Sequence, residues 1–206
     1  MNKFLASTFL LICILPPLGI AADNGTSPPE VITRLVANAS KNPPGPVESD
    51  VTAQEVKTCD AARAGFHDTR SVREIIAGEY NKCTLEGPLT SLYSEGPAAI
   101  FFGKVKMTPD ALADWKNDPP SSSMSLTVGG KVVSTDNEVT PGFGDAGGCD
   151  LLESKVRDDG HVIATFCLVQ QHGLWKVHCV YLSNEPIQGD NKNFIIRQLA
   201  AFAKKS

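Results

Sequence analysis

The sequence lacks the excess of basic residues that a general nucleic-acid-binding protein needs. It has 19 lysines and arginines against 23 aspartates and glutamates, which gives a formal net charge of -4. Such proteins neutralise phosphates with a basic face, so the composition argues against nucleic acid as a partner. There is also no second long apolar run after the N-terminal segment. We therefore predict no membrane contact once that segment is removed.

Short motifs for metals, phosphates and nucleophilic catalysis are missing as well. The chain contains no C-x-x-C, H-E-x-x-H or G-x-S-x-G pattern, and its glycine-rich segment at 140–148 lacks the Gly-Lys-Ser/Thr of a phosphate-binding loop. The neighbouring His67 and Asp68 are explained more simply by a turn between helices, with Asp68 or Ser71 capping the next helix. We predict no metal, no cofactor and no catalytic residue.

The N-terminus has the three parts of a secretory signal peptide. Lys3 precedes an almost wholly apolar stretch at 4–15, which is too short to span a membrane. Gly19 and Ala21 are small residues at positions -3 and -1 of a cleavage site before Ala22, and a cut one residue later is also plausible. Residues 1–21 are thus predicted to be removed. The mature protein is expected to be secreted or periplasmic.

Cysteine usage agrees with an oxidising compartment. Six cysteines, less Cys13 in the signal peptide, leave five: Cys59, Cys83, Cys149, Cys167 and Cys179. Exported chains commonly join such residues in disulfides, although spacing alone does not give the pairs. We predict Cys59 with Cys83 as one pair, and Cys149 with either Cys167 or Cys179 as the other. The odd number leaves one thiol free or paired with another chain.

The pattern of apolar residues places helices first and strands later. Residues 22–50 are predicted to be a flexible leader with one short helix, and residues 51–206 a single α+β domain. The last two long strands are expected to form a hairpin about His172 and Gly173. The expected helices are 31–39, 51–64, one from Val72, 89–93, 109–115 and 193–205, and the expected strands include 98–102, 161–170 and 174–182.

The final strand alternates between two faces if it is regular. Alternation puts Cys179 on one face, with Trp175, Val177 and Tyr181, and His178 on the other, with Leu174, Lys176 and Val180. The first face is predicted to be core. His178 and Cys179 would then point in opposite directions and could not bind one metal ion together.

The stretch from about residue 73 to 182 resembles the nuclear transport factor 2-like superfamily, which includes SnoaL and ketosteroid isomerase-type proteins. The resemblance rests on Glu79-Tyr80 at a helix end, residues 92–95 leading into 98–102, the short helix from Pro109, and Gly173-Leu174-Trp175-Lys176-Val177 in the closing strand. It implies a cone in which a curved antiparallel sheet packs on N-terminal helices. The helices at 31–64 and the C-terminal helix depart from the minimal pattern.

Two functions follow, because that superfamily contains both enzymes and pure binding proteins. The first is a non-catalytic binding or inhibitory protein that contacts another protein. The second is an enzyme whose cone-shaped pocket acts on a small apolar molecule by acid–base chemistry, of isomerase or hydrolase type. The candidate surface residues for a protein partner or small apolar ligand are Phe143, Lys176, His178, Tyr80 and Tyr93.

Overall fold

The computed structural model describes residues 26–65, 67–117, 126–128, 131–134, 149–151 and 159–204. Three helices come first, strands dominate the middle, and one helix closes the chain, so the protein is α+β as predicted. The elements are α1 (Pro28–Ala39), α2 (Ala53–Gly65), α3 (Val72–Tyr80), β1 (Cys83–Leu85), β2 (Thr90–Glu95), β3 (Ala98–Met107), α4 (Pro109–Asn117), β4 (Leu126–Val128), β5 (Lys131–Ser134), β6 (Cys149–Leu151), β7 (His161–Gln171), β8 (Leu174–Ser183) and α5 (Gly189–Ala203).

The main sheet is a curled half-barrel with the order β1–β3–β7–β8–β6. Strand β2 also pairs with β3, so β1 and β2 share one edge of that strand. All pairs are antiparallel except β6 with β8. A separate hairpin joins β4 and β5. Residues 89–93 were predicted to be helical but lie mostly in β2, so that prediction is wrong.

Capping residues fix where the first helices begin. Ser71 accepts a hydrogen bond from the Glu74 amide, and the Glu74 carboxylate accepts one from the Ser71 amide. At the start of α1, the Glu30 carboxylate accepts hydrogen bonds from both the amide and the hydroxyl of Ser27. These bonds satisfy amide groups that have no partner inside a helix. Helix α1, expected within a flexible leader, buries Val31, Ile32 and Leu35 in the core of the domain.

Central strand β7 is buried on both sides, with residues 164–169 all inaccessible to solvent. A strand is buried along its length when other elements cover both faces of the sheet. We call the side covered by α1–α3 the inner face and the side partly covered by α5 the outer face. The inner face carries Phe101, Val105, Ala164, Phe166, Leu168, Val177, Val180 and Leu182. The outer face carries Ala98, Ile100, Cys167, Val169, Cys179 and Tyr181, which pack on Ile195 and Leu199 of α5.

A β-bulge interrupts the alternation of β8. Cys179 pairs with Cys167 of β7 and Val177 pairs with Leu168, so His178 is an extra residue without a counterpart. The bulge places Val177 on the inner face and Cys179 on the outer face. The His178 ring stacks on Phe202 of α5, with ring centroids 4.2 Å apart. The prediction that His178 and Cys179 point to opposite faces is therefore wrong.

The hairpin between β7 and β8 turns on two residues with positive φ, as a type I′ turn requires. His172 has φ 52° and Gly173 has φ 77°. An L-residue in this region costs roughly 1–2 kcal/mol. We expect Gly173→Ala to lower the free energy of unfolding by about 1 kcal/mol in urea titrations. Gly65→Ala is the matched control, because Gly65 lies on α2 with open space around it. Equal losses in the two variants would contradict the turn assignment.

No helix in the described parts of the chain is long and apolar enough to cross a membrane. The predicted signal peptide, residues 1–21, lies outside the described residues.

Candidate functional site

The predicted surface residues do not meet at one place. Tyr80 is buried in the inner core, whereas Tyr93 is half-buried against the outer cluster. His178 packs on α5 by way of Phe202. Lys176 lies two residues before His178 on β8, and both contact the segment at 49–52, whereas Phe143 lies outside the described residues. The two tyrosines are thus separated by the sheet.

Between the helices and the inner face, the part of the chain that the structure describes encloses a small cavity. The cavity there measures about 20 Å³ and is lined mainly by apolar side chains, with Glu79, Tyr80 and Cys83 among them. Such a volume holds about one water molecule. Pockets for small organic ligands are typically about 300–1,000 Å³. Side chains of α1 and α3 line this cavity, which is smaller than the cone-shaped pocket that the alternative enzyme function would need.

Lys176 and His178 hold the segment Ser49–Thr52 against β8. The Lys176 ammonium donates to the Ser49 carbonyl. The Thr52 amide donates to the Val177 carbonyl at 2.9 Å, and the Val177 amide donates to the Asp50 carbonyl at 2.8 Å. The Thr52 hydroxyl lies 3.3 Å from Nδ1 of His178. We call Ser49–Thr52 the N-terminal strap, because it joins the end of the α1–α2 connection to the sheet.

Burial keeps His178 uncharged at neutral pH. Removal of the imidazole from water lowers the pKa of His178 from 6.5 to about 4. The ring is enclosed by Thr52 on one side and Phe202 on another. A group with this pKa is a neutral hydrogen-bonding partner near pH 7 rather than a cationic contact for a ligand.

The structure forms no disulfide among Cys59, Cys83, Cys167 and Cys179, the cysteines whose side chains it describes. The predicted pair of Cys59 with Cys83 is therefore wrong, and the predicted pair of Cys149 with Cys167 or Cys179 lies outside the residues whose side chains the structure describes. Burial, with Glu55 and Glu79 nearby, raises the pKa of Cys59 to about 12. Burial likewise raises the pKa of Cys83 to about 11. Both remain thiols at neutral pH, a poor state for nucleophilic attack.

A larger cleft lies on the part of the outer face that α5 does not cover. Its volume is about 280 Å³, and its lining residues are Lys104, Asp159, His161, Val162, Ile163 and Asn184. Lys104 and His161 belong to the same face as the residues under α5, because β3 and β7 alternate regularly up to this end. The sheet therefore has a covered half and an open half on its outer face.

His161 lies between two carboxylates in this cleft. Its Nε2 is 3.1 Å from Glu86, and its Nδ1 is 3.0 Å from Asp159. Because the carboxylates contact opposite ring nitrogens, they cannot join the imidazole in binding one metal ion. No group of side chains within the described ranges is arranged to hold a metal. The Asp159 carboxylate also accepts from the His161 amide at 3.0 Å, which fixes the turn before β7.

The cleft continues into a strip of exposed charge on β3. Lys104 and Lys106 are exposed, and neither ammonium forms an ion pair with another residue that the structure describes. Phe102 and Ile163 on the same face are half-buried and belong to neither core cluster. The alternation of Gly-Lys-Val-Lys-Met at 103–107 is typical of a strand with its lysines on one face, so the sequence did contain a signal for this strip. The strand predicted at 98–102 ended before these residues, so the strip of charge was not predicted.

No family model, curated protein or solved structure matches the chain. Its function is therefore inferred from its own residues.

Proposed function

We propose that this protein is an exported, non-catalytic binding protein that contacts another protein through the open half of its outer face. The contrast between the two cavities carries the proposal. The inner cavity lined by Glu79, Tyr80 and Cys83 measures about 20 Å³, whereas the outer cleft measures about 280 Å³. A partner that binds from outside needs surface, and a small substrate needs an enclosed pocket.

The composition of the open half suits contact with a protein. Phe102 and Ile163 provide apolar area at its centre, and Lys104 and Lys106 provide cations that no described residue neutralises. Aromatic side chains are enriched in protein interfaces, and exposed charges select a complementary partner. The partner is expected to present acidic side chains around an apolar contact.

The proposal of export rests on the signal peptide pattern at residues 1–21. The proposed relation to the nuclear transport factor 2-like superfamily rests on the order of elements and the residue pattern at about 73–182. An acid–base enzyme acting on a small apolar molecule remains the second candidate. It is favoured by the Glu79 and Tyr80 side chains at the apolar inner cavity. That function would require α1 or α3 to move, since the cavity is too small for an organic substrate.

Charge reversal on the open half tests the binding proposal. We expect the variant Lys104→Glu/Lys106→Glu to lose at least tenfold in recovery of the natural partner, because like charges then face the partner's acidic groups. The matched control is Lys57→Glu/Arg197→Glu, which makes the same change in net charge at exposed sites on α2 and α5. The measurement is quantitative co-purification from the compartment to which the protein is exported. Undiminished recovery with the β3 variant would contradict this location of the interface.

A further inference from the structure

Two cysteines lie directly opposite each other in the centre of the sheet. Cys167 of β7 and Cys179 of β8 are partners in the antiparallel register. Neighbouring residues in antiparallel strands have Cα atoms about 4.5–5.5 Å apart. Disulfide-bonded cysteines have Cα atoms about 4.4–6.8 Å apart. The two ranges overlap, so pairing in this register is compatible with a disulfide once the side chains, which are not bonded in the structure, turn towards each other.

The two side chains also share one environment. Both belong to the outer-face cluster beneath α5, where Cys167 is 0% and Cys179 is 6% exposed. Directly opposed residues of an antiparallel pair point to the same side of the sheet. The bulge at His178 comes immediately next to the pair, where strand geometry departs from the regular ladder. Neither Cys59 on α2 nor Cys83 on β1 has a comparable cysteine in register.

We propose that Cys167 and Cys179 are a redox pair that closes into a cross-strand disulfide in an oxidising compartment. One thiol loses its proton and attacks a disulfide donor such as oxidised glutathione, which releases one reduced donor molecule and leaves a mixed disulfide. The second thiol loses its proton and attacks that mixed disulfide. The protein disulfide forms, the second donor molecule leaves reduced, and the two protein thiols have been oxidised by two electrons.

The location of the pair predicts when it reacts. Helix α5 covers both sulfur atoms, through Ile195 and Leu199 in the same cluster. The bond is expected to form while the chain folds, before α5 docks. In the folded protein its reduction should wait for α5 to detach, so a reductant acts slowly without denaturant and rapidly in its presence. The proposal goes beyond the binding function and uses export only as the natural source of the oxidant.

The test is peptide mapping of the mature wild-type chain after refolding from urea in a mixture of reduced and oxidised glutathione. Remaining thiols are alkylated, and trypsin separates the two cysteines because Lys176 lies between them. We expect a linked pair of peptides, 158–176 with 177–192, whose mass is that of the two peptides less two hydrogen atoms. The double variant Cys59→Ser/Cys83→Ser should give the same linked pair.

Two results would overturn the proposal. One is full alkylation of both peptides in refolded wild-type protein, and the other is a linked product in which Cys149 replaces Cys167 or Cys179. Cys167→Ala and Cys179→Ala should each abolish the linked pair. If either variant does not refold, the peptide map of the wild-type protein still tests whether the disulfide forms. The measurement is made on purified protein with an added oxidant, so its outcome is independent of export and of any protein partner.

Discussion

Arg34→Ala should lower the free energy of unfolding by about 3 kcal/mol, because it leaves a buried carboxylate without its cation. The Arg34 guanidinium binds Asp50 through contacts of 2.6, 3.0 and 3.1 Å. The Asp50 side chain is 1% exposed, whereas that of Arg34 is 44% exposed. Removal of Arg34 leaves the buried Asp50 carboxylate without a cation. The loss also loosens the N-terminal strap, whose Asp50 carbonyl accepts from Val177.

Arg73 provides a control of the same chemistry at the surface. It contacts the two oxygens of Glu48 at 2.9 and 3.1 Å, but the Glu48 side chain is 33% exposed, whereas that of Asp50 is only 1% exposed. Exposed pairs contribute less than about 1 kcal/mol, so Arg73→Ala should have a small effect. Arg34→Lys should recover part of the stability, because lysine restores the positive charge but lacks the planar guanidinium that donates to both carboxylate oxygens. Equal losses for Arg34→Ala and Arg73→Ala in urea denaturation would show that burial of Asp50 is not decisive.

Acidification should destabilise the protein through His178. Burial lowers the pKa of His178 to about 4 in the folded chain, against 6.5 for the free side chain. The unfolded state therefore binds the extra proton first, and stability falls as the pH decreases from about 6.5 towards 4. The expected loss is roughly 2 kcal/mol by pH 5 and about 3 kcal/mol by pH 4, relative to pH 7.5.

The difference between wild type and His178→Asn isolates this contribution from that of the carboxylates. Asparagine can still form a hydrogen bond with Thr52 but does not take up a proton, so the variant should lose this part of the pH dependence. His172→Asn is the control, because His172 lies at the exposed hairpin tip and asparagine tolerates its positive φ. Parallel curves of stability against pH for wild type and His178→Asn would contradict the assignment.

Local signals in the sequence were sufficient for most helices. Apolar periodicity and capping residues placed α1, α2 and α3 to within a few residues. Ser71, for example, caps α3 and so determines where that helix begins. The hairpin between β7 and β8 was predicted from two β-rich runs about His172 and Gly173 and is confirmed. Such features depend on residues close together in the chain.

Bulges caused the clearest errors. In β2 the register shifts between Ser91 and Tyr93, and both Leu92 and Tyr93 pack against the outer cluster. Two consecutive apolar residues on one side break the strand alternation and resemble a helical pattern. In β8 the bulge at His178 reverses the faces of the residues on either side. A bulge is a feature of strand pairing, so strict alternation within one strand could not predict it.

The outer cleft could not be found from neighbouring residues in the sequence. Glu86 follows β1, Lys104 lies on β3 and His161 begins β7, and the sheet brings the three segments together. The size of the inner cavity was equally beyond the sequence. The family resemblance left an open or a filled cone possible, and the cavity between α1, α3 and the sheet measures about 20 Å³. Whether a cone is open depends on packing between distant segments.

The most direct test of the account is native mass spectrometry of the protein isolated from the compartment to which the proposed signal peptide would direct it. We predict a mature chain that begins at Ala22 or one residue later, bound in fixed stoichiometry to another protein. The Lys104→Glu/Lys106→Glu variant should appear as the mature chain alone. A mature chain that carries a small organic molecule and no protein partner would contradict the proposed function and favour an enclosed pocket.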